Sequence, residues 1–131
     1  MNRKINKLII HCSDSDVPTH NNISVIREWH LLRGFNDVGY HYFINWEGDI
    51  QVGRSEDVVG AHCEGQNANS IGICLQGRSR FTSVQFYNVK ILILDLLKRY
   101  NLTVKDVYPH NYFNKAKTCP NFDISNVINK L

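Results

Sequence analysis

The chain is 131 residues long and has no apolar run approaching the ~20 residues that a membrane-spanning helix requires. Its basic beginning, Met1-Asn2-Arg3-Lys4-Ile5-Asn6-Lys7, leads only into Leu8-Ile9-Ile10 before His11. That stretch is too short for the apolar centre of a secretory signal. These absences argue against membrane insertion and point to a protein that is cytoplasmic when synthesised. Repeats, linkers and low-complexity tracts are missing as well, so residues 1–131 read as one domain. Strong charge of one sign is also lacking: 15 Lys and Arg against 12 Asp and Glu leave a net +3. A balance this mild does not make nucleic acid the leading partner, and it suits a weakly anionic or a neutral target alike. The four cysteines, Cys12, Cys63, Cys74 and Cys119, include no CxxC pair. In a reducing compartment they are expected to be free thiols, either packed in the core or engaged with a metal.

What is present suffices for a core. Hydrophobic residues make up 43% of the chain, and a domain of this size buries roughly two thirds of its unfolded surface. Neither a disulfide nor a structural metal is needed for folding, so a metal here would serve chemistry. Lys4 to His11 alternates as a strand, with Leu8 and Ile10 on one face and Ile9 and His11 on the other. Asn22 or Ser24 can cap a helix carrying Ile26, Trp29, His30 and Arg33, which Gly34 stops. Tyr40 to Trp46 alternates again, and Trp46-Glu47-Gly48-Asp49 turns the chain into Ile50-Gln51-Val52. Ser70 to Leu75 sets Ile71, Ile73 and Leu75 opposite Gly72 and Cys74.

The strongest helical signal runs from Ser83 to Tyr100. Phe86, Val89, Ile93, Leu96, Leu97 and Tyr100 form one face, and Ile91, Leu92 and Leu94 beside it suggest broad burial. A short last helix after Asp123 would align Ile124, Val127, Ile128 and Leu131. The pattern is α/β, a central mixed sheet flanked by helices.

Histidine and cysteine carry the candidate chemistry. Catalytic zinc takes three protein ligands from histidine, cysteine or carboxylate and keeps one position open. His11 ends a hydrophobic strand and opens onto Cys12-Ser13-Asp14-Ser15-Asp16. His110 and Cys119 bracket a segment stiffened by Pro109 and Pro120, at a spacing unlike that of zinc fingers. Taken singly, each is as well explained by a surface histidine or a packed thiol. His11-Cys12 and His62-Cys63 are adjacent pairs, of which strand alternation lets only one member easily reach a given site. Cys74 reads as core packing. His20 and His30 read as solvent-facing or hydrogen-bonded, and His41 as facing away from Tyr40 and Tyr42. Residue types and spacing leave several ligand sets open.

A resemblance narrows them. His11-Cys12-Ser13 after a hydrophobic strand is followed, in order, by Ile26-Arg27-Glu28-Trp29-His30 and by Arg33-Gly34-Phe35-Asn36-Asp37-Val38-Gly39-Tyr40-His41-Tyr42. Next come Gly48-Asp49-Ile50-Gln51-Val52-Gly53-Arg54, Gly60-Ala61-His62, Asn69 to Gly77, and Lys117-Thr118-Cys119-Pro120-Asn121-Phe122-Asp123. Each motif is modest alone; together, in this order, they resemble the type 2 N-acetylmuramoyl-L-alanine amidases. That family includes short bacteriophage enzymes and is related to the animal peptidoglycan recognition proteins.

The resemblance implies one zinc ion held by His11, His110 and Cys119, with Tyr40 and Lys117 assisting at the scissile carbonyl. It places His62 on the groove wall as a substrate contact. Arg27, Trp29 and Arg33 either line the groove or anchor the first helix, with anchoring preferred, and Asn69 and Ser70 are expected to set a turn. The implied reaction is hydrolysis of the amide between the lactyl group of N-acetylmuramic acid and L-alanine in peptidoglycan, in a phage or prophage lysis enzyme that reaches the wall after release or export. The paired cysteines of the animal proteins are absent, which favours the phage or bacterial branch. Two other readings are a wall-binding module without catalysis, whose members typically lack the cysteine ligand, and an intracellular regulator of another protein.

Overall fold

Two six-residue strands, β1 (Lys7–Cys12) and β4 (Ser70–Leu75), supply the middle of the molecule because nearly every residue in them is apolar or small. The computed structural model describes residues 3–129. Around these strands lie α1 (Ile23–Leu32), β2 (Tyr42–Ile44), β3 (Ile50–Val52), α2 (Ser83–Arg99), β5 (Val107–Pro109) and α3 (Ser125–Ile128). The sheet order is β3-β2-β4-β1-β5. All neighbours are parallel except β2 and β3, which form the antiparallel hairpin expected at Trp46–Asp49.

Alternation sorts β1 and β4 as the sequence suggests. Leu8, Ile10, Ile71, Ile73 and Leu75 join Ile44, Val89, Ile93 and Leu96 in one apolar cluster against α2. Cys74 faces the other way, with Phe43, Val38, Ile23 and Ile26 of the α1 side. The helix ends are chemically marked. Asn22 caps α1 by accepting from Ser24 N–H, and Gly34 follows its end at φ +93°. Thr82 and Gln85 cap α2 reciprocally, with Lys98 and Arg99 favourably placed in its last turn.

Two expectations are corrected, and one strand was not anticipated. α2 buries one face only: Val84, Ile91 and Leu94 are about half exposed, and Tyr87 in the same stripe more so. The sheet and α3, through Val127, cover the same side of the helix, so it needs no second apolar face. Strand β2 begins at Tyr42 rather than Tyr40, and the alternation breaks before it. Tyr42 packs with the α2 cluster while Tyr40 joins the α1 side. Finally, the short edge strand β5 carries no alternation signal that three residues ending in proline can express. The last helix is real at Ile124, Val127 and Ile128, whereas Leu131 lies outside the described residues.

Candidate metal centre and its cleft

β1 delivers His11 to the carboxyl edge of the parallel strands, where ligands gather in open α/β sheets. β5 runs alongside with Ile10 opposite Pro109. The next residues, His11 and His110, therefore emerge side by side, with ring centroids 4.4 Å apart. The third member comes from the loop beyond. The Asn111 N–H donates to the Cys119 carbonyl at 3.0 Å, and the Cys12 N–H donates to Cys119 Sγ, also at 3.0 Å. One donor atom each from His11, His110 and Cys119 lies within 4.8 Å of the others. Among the described residues this is the one such His/Cys/Asp/Glu group.

The donor set fits zinc, which takes imidazole nitrogen and thiolate sulfur in a tetrahedral arrangement. An approach for a fourth ligand exists as well. His110 and Cys119, with His11 buried behind them, open onto a cleft of about 350 Å³ that is also lined by Trp29, Arg33, Tyr40 and Lys117. A second hollow shares His30, Arg33, Tyr40, His110 and Lys117 with it and reaches Phe35 and Asn114.

Electrostatics prepare the imidazoles. Burial, reinforced by neighbouring His62 and His110, holds His11 well below its usual pKa. Burial and the Lys117 ammonium do the same, less strongly, for His110. Both rings are then neutral near pH 7, the form that binds a metal. The Cys12 thiol and burial push the Cys119 thiol up, opposite to a divalent cation, which deprotonates a coordinating thiol outright.

Tyr40 is half-buried, its ring 5.0 Å from that of His11 and 5.4 Å from that of His30. Burial, then the nearby cysteines, push its phenol well above the usual value, so it remains a donor. The break before β2 is what aims it here. His30 Nδ1 accepts the Gly39 N–H at 2.7 Å, and the Tyr40 carbonyl accepts from Arg54 N–H at 3.0 Å. Lys117 is exposed at the rim of both hollows.

Other side chains move from their expected roles. Cys12 borders the cleft beside His110 and Cys119, because the strand ends there. Arg27 anchors α1 through Asp37 at 2.8 Å, but Trp29 and Arg33 face the cleft. His62 is buried with both ring nitrogens engaged, Nδ1 with His11 Nε2 at 2.8 Å and Nε2 with Ser70 Oγ at 3.1 Å. It lines the second hollow, but with both ring nitrogens engaged, a geometry that favours support of His11 over contact with substrate. Ser70 also does more than set a turn. No spacing rule links residues 11, 62 and 70; the signal that could have found them is the small Gly72 facing the ring.

Fold and site together describe an α/β enzyme whose cleft opens at the carboxyl ends of parallel strands. The chain belongs to the N-acetylmuramoyl-L-alanine amidase family, which matches residues 1–122. The endolysin of Enterobacteria phage T3 is 36% identical over 125 residues, covering 89% of this chain and 81% of the relative. Peptidoglycan-recognition protein SC2 of Drosophila melanogaster is 32% identical over 108 residues, 79% of this chain and 58% of that protein. Among solved structures, N-acetylmuramoyl-L-alanine amidase LysC from Clostridium intestinale superposes with a TM-score of 0.86 at 30% identity, over 96% of this chain and 84% of that one.

Proposed function

We propose that the chain hydrolyses the amide joining the lactyl group of N-acetylmuramic acid to L-alanine in bacterial peptidoglycan, with zinc held by His11, His110 and Cys119. The observation that carries the reading is the convergence of these three donors within 4.8 Å at the floor of an open cleft. Bound zinc supplies a Lewis acid and lowers the pKa of a coordinated water to about 7.

The chain's own groups do the rest. Water oxygen bonds to the lactyl carbonyl carbon, a proton from that water passes to the alanine nitrogen, and the carbon–nitrogen bond breaks to release a lactyl carboxyl group and the alanine amine. Tyr40, kept protonated by burial, donates a hydrogen bond to the carbonyl oxygen as it gains charge. The Lys117 ammonium at the rim adds positive charge to the same oxygen. Trp29 and Arg33 offer the cleft wall an apolar face and a cation for the sugar and the stem peptide.

No helix among the described residues is long and apolar enough to cross a membrane. We assign the chain the role of a phage or prophage lysis enzyme that meets the wall after release, as the name of its phage relative suggests. Digestion of purified peptidoglycan followed by labelling of new amino termini tests the bond. L-alanine termini without new reducing sugar ends are expected; reducing ends without L-alanine termini would contradict it.

A further inference from the structure

Behind the candidate ligands runs a closed chain of hydrogen bonds that leads away from the cleft. His11 Nε2 and His62 Nδ1 are 2.8 Å apart, His62 Nε2 and Ser70 Oγ 3.1 Å, and the Ser70 hydroxyl donates to the Gln66 carbonyl at 2.8 Å. We propose that His62 is a positioning residue for the metal centre: with Ser70 it locks His11 as the Nε2–H tautomer, leaving the Nδ1 lone pair for the cation. This deepens the zinc reading above and rests on it.

The proton order follows from the far end. A carbonyl only accepts, so the single hydroxyl proton of Ser70 is committed to Gln66. Ser70 Oγ can then only accept from His62, which places the His62 proton on Nε2. A neutral imidazole has one N–H, so His62 Nδ1 is an acceptor and His11 Nε2 must be the donor. His11 Nδ1 is left without a proton. The wrong tautomer would present an N–H to the cation instead.

The surroundings are shaped to hold this ring. A Cβ on Gly72 would stand 2.6 Å from His62 ring atoms and one on Gly60 2.7 Å, so both neighbours must be glycine. The Asn67 side-chain oxygen accepts the His62 and Cys63 N–H groups, each at 2.9 Å, and fixes the backbone beneath the ring. The loop that carries them is pinned at Glu56 by Arg99 at 2.8 Å, by the Tyr42 and Tyr100 hydroxyls, and through its carbonyl by Arg3 at 2.8 Å. Burial favours the uncharged ring.

Long-range ¹H–¹⁵N NMR of the ¹⁵N-labelled, zinc-loaded full chain reads both tautomers without any variant. His11 and His62 should each carry the proton on Nε2; a proton on Nδ1 of either ring would overturn the proposal. Zinc affinity, measured by competition with a chromophoric chelator, supplies the second arm. His62→Leu should weaken binding about 10–100-fold, the usual cost of losing such a partner. His62→Gln should recover most of it, because its amide oxygen accepts from His11 while its NH₂ donates to Ser70. Unchanged affinity in a folded His62→Leu protein would sink the idea. Tight zinc binding in the stated tautomers by a protein that cleaves no wall would support this inference and overturn only the amidase reading.

Discussion

On the face of β1 and β4 that meets α2, Leu8, Ile10, Ile71, Ile73 and Leu75 lie in a cluster of hydrocarbon. On the opposite face the same two strands present His11, Gly72 and Cys74, surrounded by His62 and Tyr40. On the first side any well-fitting apolar set of the same volume would serve, since burial of area is what counts. On the second, Ile9 and the cluster around Phe43 and Cys74 still pack as apolar core. His11, His62 and Ser70, however, each have a named hydrogen-bond partner, and Gly72 leaves room for the His62 ring. Their identity follows from what they must donate, accept or leave room for. Changes on the α2 face should therefore cost stability and spare chemistry. Changes to the metal-ligand and cleft residues on the other face should cost chemistry and largely spare the fold.

Cys119→Ala should give the largest effect. Wall hydrolysis should fall at least about 1,000-fold with loss of bound zinc, while the thermal midpoint moves by less than about 5 °C. Joint loss of fold and activity would break the comparison.

Leu96→Ala, inside the α2 cluster, should lose about 2–5 kcal/mol of unfolding free energy in urea titration. Its activity per folded molecule should stay at the wild-type level.

Tyr40→Phe, which takes away the hydroxyl proposed to donate to the developing oxyanion, should lower kcat about 100-fold with zinc affinity kept. Steady-state kinetics beside a chelator competition would separate the two.

Acid should expose the histidine face through stability. Burial above all, with nearby arginines, holds His30 and His41 down at about 4, against 6.5 for the free side chain. The unfolded chain takes up these protons from about pH 6.5 downward, the folded chain only near 4. Their contribution is therefore complete above about pH 6.5 and is lost as the pH falls toward 4. Urea midpoints of the metal-stripped protein across that range should fall steadily; a flat profile would count against the buried neutral rings.

Ile91→Ser on the exposed stripe of α2 should be the mildest, within about 0.5 kcal/mol. A larger loss would mean that this stripe is covered.

The same contrast marks what could be read from the sequence. The α2 face was legible because burial of area leaves a periodic trace: β1, β4 and the register of Val89, Ile93 and Leu96 all follow from spacing. The trace misleads at Ile91 and Leu94, since apolar residues flanking a buried stripe look alike whether or not a layer covers them. The His11–His110 pairing was not legible from spacing. It depends on a parallel register between strands about 100 residues apart, one of them three residues long. The ordered motifs named the candidate ligands, but they did not indicate that His62 and Ser70 stand behind His11. Hydrogen-bond chains have no period, and Tyr40 reaches the cleft only because regular alternation fails before β2.

The most direct test strips the metal from the full chain, then titrates zinc back while far-UV circular dichroism and peptidoglycan hydrolysis are read on the same sample. Unchanged secondary structure throughout, with hydrolysis absent at first and restored in proportion to zinc until one ion per chain is bound, is the expected result. Full hydrolysis by the stripped protein, or unfolding on loss of the metal, would contradict the division between a face that folds the chain and a face that does its chemistry.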